Sequence, residues 1–306
     1  VPAELAVAFV NATHACLAED AALPVRVSAT KSALALAGKM PKAALAEYVP
    51  GLITSLVSLA QEIGATYERP TVDDADDDAT ANEYSTLANS RNPILSIILD
   101  ALVMLTKVDG DATASVEATV APFALAIFIH YRDNYLLVES SVAVLESLAA
   151  VAFEPVFARL YKFIGSTLSS TGSVAADNIP RGCGFVAAVA DIFLALVTVA
   201  PEPMPDDMGS LLGALLVQAL SSPDSSLMQV ACKILRLYIA KAPQHMQAQL
   251  GPNGESAMEL VLTFISRLVS DDISEDGASL VGALIIPLIK RAPDAVSSIM
   301  GQMLDS

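Results

Sequence analysis

The sequence is poor in the residues that build most catalytic and metal sites. Its 306 residues include no tryptophan, three histidines and three cysteines, and aromatic residues make up 5% of the chain. Cys16, Cys183 and Cys232 lie far apart and form no CxxC pair, which argues against a disulfide framework and favours a reducing compartment. No acid, base and nucleophile converge in a recognisable motif. We therefore expect no enzyme, no metal site and no cofactor.

Basic residues are also scarce. Lys and Arg number 17 against 34 Asp and Glu, which gives a formal net charge of −17, and only 17% of the residues are charged, against about 25% in an average protein. Direct binding of nucleic acid is disfavoured, because phosphate recognition requires a basic surface. If charge steers a partner to this chain, that partner is basic.

Long uncharged segments are missing, although the mean hydropathy is +0.54. The longest stretch without Asp, Glu, Lys or Arg runs from Met208 to Pro223 and has 16 residues, whereas a membrane-spanning helix needs about 20. We therefore predict no membrane span. The first residues, Val1-Pro2-Ala3-Glu4, show neither the basic region nor the cleavage site of a signal peptide. We expect the chain to be a segment of a longer protein.

Apolar residues follow helical spacing almost throughout the chain. One stripe has steps of one, three and four residues, which is the spacing of one helix face: Leu45, Val49, Leu52, Ile53, Leu56, Leu59 and Ile63. Sustained alternation and hairpin dipeptides between β-branched runs, which would indicate strands, do not occur. The sequence therefore predicts an all-α fold.

The helices also recur at a regular interval. Similar openings, each a turn residue followed by a polar stretch and a long apolar stripe, lie near Pro24, Asn92, Asn134, Asn178, Asp224 and Ser274, at steps of 68, 42, 44, 46 and 50 residues. Partner helices are predicted before them at 3–18, 42–63, 114–131, 153–169, 206–221 and 255–270. A period of about 40–47 residues is typical of HEAT and armadillo repeats. We predict a right-handed α-solenoid of about six HEAT helix pairs across 1–306, with a seventh beginning at 293–304.

The step of 68 residues indicates an acidic insertion at 64–91. Without its 28 residues the step returns to the repeat length, and its seven acids, two arginines and Pro70 predict a disordered loop. A solvated linker without a partner is one interpretation. The other is a flexible anionic arm that contacts a basic protein, with six candidate residues: Asp73, Asp74, Asp76, Asp77, Asp78 and Glu83.

Three short motifs suggest chemistry but lack the context it needs. Cys183 lies between two glycines, yet a helix and not a strand is predicted there, and no histidine is near in sequence to act as its base. Gly38-Lys39 lacks the rest of a phosphate-binding loop, and Asp109 with Asp111 lacks the remaining ligands of a calcium loop. We predict structural roles for all three.

Several stretches, from PVRVSA at 24–29 to ACKILR at 231–236, resemble in the same order the importin-beta family of karyopherins. The first, PVRVSA at 24–29, also resembles the start of the second helix of a HEAT repeat. The others are 48–53 (YVPGLI), 108–109 (VD), 121–128 (APFALAIF), 179–182 (IPRG) with 191–193 (DIF), and 231–236 (ACKILR) with Tyr238. The acidic insertion departs from the family pattern, so its six candidate residues rest on charge alone.

The resemblance implies a nuclear import receptor that carries basic proteins, such as core histones or ribosomal proteins, under the control of the Ran GTPase. It implies that the full-length protein works in the cytoplasm and the nucleus. Family members bind Ran mainly through amino-terminal repeats, and this chain resembles a later part. The alternative is a HEAT scaffold that holds protein partners together without transport, because one repeat fold hosts many functions.

Overall fold

The computed structural model describes residues 3–18, 21–65, 78–169, 183–269 and 276–291. These residues form α-helices and short 3-10 turns, and among them there is one isolated β-bridge, Gln249 to Ser256, and no strand. The predicted all-α class is therefore confirmed. The helices are α1 (Ala3–Cys16), α2 (Leu23–Lys39), α3 (Lys42–Leu45), α4 (Val49–Ala65), α5 (Asp78–Thr106), α6 (Gly110–Ser115), α7 (Glu117–His130), α8 (Tyr135–Ala149), α9 (Phe153–Leu168), α10 (Cys183–Val199), α11 (Asp207–Ser221), α12 (Ser225–Lys241), α13 (Ala257–Val269) and α14 (Asp276–Arg291).

The first compact unit of the chain, Val1–Val156, is a stack of helix pairs. Helices α1 and α2, α4 and α5, and α7 and α8 pack as pairs. The second helices also pack on one another in order, α2 on α5 and α5 on α8, and the first helices do the same, α1 on α4 and α4 on α7. Each pair thus buries its apolar faces against the next pair.

The second compact unit, Phe157–Ser306, has the same layered arrangement. Helices α10, α12 and α14 pack in order as second helices, α11 packs on α13, and α11 with α12 and α13 with α14 form pairs. Stacked helix pairs in both units are the arrangement of a HEAT-type solenoid, as the sequence predicts.

The residues that start and fill these helices are the ones that the sequence pattern selects. All seven residues of the apolar stripe from Leu45 to Ile63 are buried. Asn134 and Asp224 are the N-cap residues of α8 and α12, and their side chains accept hydrogen bonds from the backbone N–H groups of Leu137 and Ser226. These bonds satisfy donors that the first turn of a helix leaves unpaired, so α8 and α12 begin at the predicted turn residues. The predicted helix start at Asn92 is wrong, because α5 continues through this residue.

The structure differs from the prediction around the proposed insertion. Gly64 and Ala65 end α4, and α5 begins at Asp78, so residues 78–91 are helical and not a loop. The stretch 78–91 contains neither glycine nor proline, the two residues that most disfavour a helix. Residues 66–77 lie outside the described residues, and so do Asn178 and the seventh pair predicted at 293–304.

Two basic side chains cap helix ends of the preceding repeat in the second unit. The Lys241 ammonium group, at the end of α12, donates to the carbonyl oxygens of Val197 and Thr198 in α10, at 2.9 and 2.6 Å. The Arg267 guanidinium, in α13, donates to the carbonyl oxygens of Ala219 and Ser222 at the end of α11, at 3.1 and 2.7 Å. A cation at a helix C-terminus pairs carbonyls that have no intrahelical partner.

Close packing requires a glycine at one point of the second unit. A Cβ atom at position 213 of α11 would lie 2.8 Å from the carbonyl oxygen of Leu250, which belongs to the loop before α13. Gly213 therefore lets this loop lie directly against the helix.

None of the helices among the described residues combines the length and the apolar character needed to cross a bilayer.

Candidate functional site

The side chains of the six acidic residues predicted to contact a basic partner are not described by the structure. Asp73, Asp74, Asp76 and Asp77 are outside the described residues. Asp78 and Glu83 belong to the first turns of α5, where the backbone is described but the side chains are not. Their contact with a basic partner stays a prediction.

A second group of acids is exposed on the second helices of the first unit. Asp100 of α5 and Glu139 of α8 are exposed, and Glu146 is half-buried. Glu139 and Glu146 are seven residues apart and share one side of α8, while Asp100 hydrogen-bonds to the side chain of Ser140, next to Glu139. We call Asp100, Glu139 and Glu146 the acidic face. Asp100 and Ser140 meet where α5 packs against α8.

Partial burial sets the electrostatics of Asp100. Desolvation at the junction of α5 and α8 raises the pKa of this carboxyl above its ordinary value, and the hydrogen bond from Ser140 opposes part of that shift. Desolvation disfavours the charged form, and at neutral pH a basic group on a partner would relieve that penalty.

Two basic residues of the first unit are held by partners within the protein. Arg26, in the PVRVSA motif of α2, is buried, and its guanidinium pairs with Glu62 of α4. The Lys42 ammonium group donates to the carbonyl oxygen of Lys107, just after α5, at 2.8 Å. Both cations serve as internal connections. They are not among the groups that would neutralise the acidic face.

A polar network, buried at Tyr238 and His245 and exposed at Asp206, connects three segments of the second unit. The Tyr238 hydroxyl of α12 lies 2.8 Å from His245 Nδ1, and His245 Nε2 lies 3.3 Å from Asp206 Oδ1 at the start of α11. Burial, and to a lesser degree the charge of Asp206, raises the pKa of Tyr238 above its ordinary value. The hydroxyl of Tyr238 therefore stays protonated. This network fixes the turn after α12 against α11. The sequence gives no signal for it beyond a tyrosine and a histidine seven residues apart.

Cys232, His14 and His130 have packing roles. Cys232 is buried in α12, and desolvation raises the pKa of its thiol to about 12, so it is not a nucleophile at neutral pH. The His14 ring lies against Gly51 of α4, and His130 packs edge-on against Tyr131. Cys183 opens α10, and its side chain is outside the described part. Within the described ranges no three His, Cys, Asp or Glu side chains gather as metal ligands.

One groove of the first unit lies between α1 and α2. Its volume is about 600 Å³, and its lining is mostly apolar, with Leu5, Phe9 and Val25 among the contributors and Lys39 at one end. No acid lines it. The groove therefore suits the packing of apolar side chains and does not suit recognition of a basic protein by charge.

Comparison with known proteins finds a distant relative among the importins. Importin-9 of Drosophila melanogaster is 20% identical to this chain over 220 residues, which cover 71% of this chain and 20% of importin-9. The matched part is thus about a fifth of that relative's length. No protein-family model matches the sequence. The similarity supports a relationship to the importins, in line with the family resemblance of the sequence motifs.

Proposed function

We propose that this chain is a segment of a nuclear import receptor that binds basic protein cargo. The observation that carries the proposal is the similarity to importin-9 along 71% of the chain. The acidic face supplies a surface of suitable charge. Core histones and ribosomal proteins are the cargo class, and Ran GTPase controls its release in the full-length protein. The receptor works between cytoplasm and nucleus as a binding protein, with no catalytic step and no cofactor.

Charge arrangement supports basic cargo over neutral cargo. The acidic face is exposed on a chain of net charge −17, so the field of the whole protein adds to the local attraction. Such a field mainly raises the rate of encounter, and it weakens as salt shortens the Debye length. Binding of basic cargo is therefore expected to fall steeply with ionic strength.

The acidic residues outside the described side chains add a second contact in this proposal. Asp73, Asp74, Asp76, Asp77, Asp78 and Glu83 lie before or within the first turns of α5, the helix that also carries Asp100. We assign to them a supporting electrostatic role, and to the acidic face the docking role. The side chains of the acidic face are described and accessible, which supports this division.

Binding of core histone dimers tests the acidic face directly. We expect the variant Asp100→Asn/Glu139→Gln/Glu146→Gln to bind histone dimers about tenfold more weakly at ~0.1 M salt, because three attractions of several tenths of a kcal/mol each are lost. The measurement is a fluorescence titration at several salt concentrations. A matched control removes three exposed acids elsewhere in the first unit, Glu47→Gln/Asp111→Asn/Glu154→Gln.

The control has the same net charge as the test variant, so it separates position from total charge. We expect it to change the affinity by about twofold or less. Equal losses in both variants would mean that net charge alone attracts histones. No binding of histones by the unmodified chain at low salt would exclude cargo contact by this segment.

Response to Ran separates transport from scaffolding. In the full-length protein we expect Ran bound to GTP to displace histone dimers, whereas Ran bound to GDP leaves them in place. A HEAT scaffold without a transport role would hold its partners equally in both conditions. A pull-down of histones with the two nucleotide states of Ran distinguishes these outcomes.

A further inference from the structure

The second unit has a groove whose chemistry is opposite to that of the acidic face. It lies between the second helices α12 and α14, has a volume of about 550 Å³, and is lined by Arg236 and Leu237 on one side and by Ile286, Pro287 and Lys290 on the other. Ile286 is 59% exposed, and Ile289 beside it is 49% exposed. Large aliphatic side chains thus lie in solvent next to two cations.

The cations at this groove have no partner among the described residues. Arg236 and Lys290 are exposed, and so is Lys233, which lies three residues before Arg236 on the same side of α12. No acidic residue occurs in α12. By contrast, Lys241 and Arg267 of the same unit are engaged with helix ends. We call Lys233, Arg236, Lys290, Leu237, Ile286 and Pro287 together the cationic groove.

This combination selects the chemistry of an occupant. Three unpaired cations repel basic cargo, and on a chain of net charge −17 they are a local exception. A nucleic acid strand could use the cations, but single-stranded binding sites also stack bases on aromatic side chains, and none lines this groove. Aliphatic side chains between cations match a peptide that alternates carboxylates with Leu, Ile or Val.

We propose that the cationic groove binds an acidic peptide segment of a partner protein, with a large aliphatic side chain of that segment seated on Leu237, Ile286 and Pro287. Carboxylates of the segment pair with Arg236 and Lys290 at the groove and with Lys233 one turn away. Arg236 can hold a carboxylate through two parallel hydrogen bonds, which a lysine cannot. This partner is distinct from the basic cargo, so the inference stands independently of the proposed function.

A labelled peptide tests the inference on the whole chain. The probe is a fluorescein-labelled 12-residue peptide in which Glu residues surround two Leu residues four positions apart. We expect it to bind, and Arg236→Gln/Lys290→Gln to weaken binding by about tenfold and to flatten its salt dependence. Ile286→Ser is expected to weaken binding severalfold without changing the salt dependence, because it removes only apolar contact.

Matched controls make the result specific. Lys31→Gln/Lys107→Gln removes two exposed cations of the first unit and is expected to leave the affinity within about twofold. The same peptide with Gln in place of Glu, and one with Ser in place of Leu, are each expected to bind at least about tenfold more weakly. Equal binding of either peptide, equal loss in the lysine control, or equally tight binding of a 12-nucleotide RNA would overturn the proposal.

Discussion

The two compact units share one arrangement of helices but use their cations differently. The first unit contains 20 acidic and 8 basic residues, and the second contains 14 and 9. In the first unit Arg26 pairs with Glu62 inside the stack, and the acidic face is exposed. In the second unit Lys241 and Arg267 cap helix ends, yet Lys233, Arg236 and Lys290 stay exposed on the second helices.

This difference shows that the repeat fixes apolar positions and leaves the charges free to vary. Stacking requires buried aliphatic residues at fixed spacing on each helix, whereas exposed positions of the second helices contribute little to packing. Surface charge can therefore change sign between neighbouring repeats without loss of fold. A chain of strong net negative charge can hold surfaces for two partners of opposite charge.

The ion pair of the first unit gives the largest expected effect on stability. Glu62→Ala leaves the buried Arg26 guanidinium without its partner, and Arg26 Nε and Nη2 already have no hydrogen bond among the described residues. We expect a loss of about 1–3 kcal/mol in the free energy of unfolding, less than for a fully buried pair because half of the Glu62 side chain is exposed. Urea unfolding measures it.

A double variant shows whether the cost comes from the unpaired charge. Arg26→Met/Glu62→Ala is expected to be more stable than the sum of the two single losses implies, because a buried ion pair can be replaced by apolar contact. If the losses in unfolding free energy of the two single variants simply add up in the double variant, this explanation is wrong. The contrast between the units in how they use their cations would then lose its support.

Helix-end cations of the second unit give the next largest effect. Lys241→Met removes two charge-assisted hydrogen bonds to carbonyl oxygens of α10, and we expect a loss of about 1–2 kcal/mol. Lys233→Met on the same helix is the matched control, with an expected change within about 0.5 kcal/mol because this lysine has no described partner. Equal losses for the two variants, measured by urea unfolding, would show that the cap contributes nothing.

The smallest effect concerns the pH dependence of Asp100. Its raised pKa means that the folded state favours the protonated form, so the stabilising contribution of this carboxyl is present below its unfolded pKa and is lost as pH rises through its folded pKa. We expect Asp100→Asn to raise the Tm by about 1 °C at pH 7, relative to the unmodified chain, and the difference to vanish near pH ~3. A difference that grows at low pH would contradict the sign.

Local signals in the sequence are sufficient for the helices but not for their mutual contacts. Asn134 and Asp224 mark helix starts because an N-cap acts within three residues. The secondary structure of residues 78–91 is harder to predict from the sequence, because acidic composition favours a loop while the absence of glycine and proline allows a helix. The acids before and within the start of α5 are clustered in the sequence and are therefore easy to recognise. The residues of the acidic face are far apart in the sequence and are not.

Contacts across the repeat depend on the register of one helix against another. Arg26 and Glu62 are 36 residues apart, and Asp100 meets Ser140 only because α5 packs against α8. Periodicity predicts which residues are buried, but not which exposed residue lies opposite which. The cationic groove is invisible in the sequence for the same reason, since α12 and α14 are separated by α13.

Lys241 and Arg267 make the stack of the second unit directional. Each cap is supplied by a helix that follows the capped one in the chain, at separations of 44 and 48 residues. Removal of repeats from the carboxyl side takes away the capping cation and uncovers carbonyl groups of the repeat that remains. Removal from the amino side takes away the capped helix and leaves only a surface lysine or arginine. Boundaries for shorter versions of this protein therefore belong after Lys241 or Arg267, and the terminal repeat of any such version depends on a cap of its own.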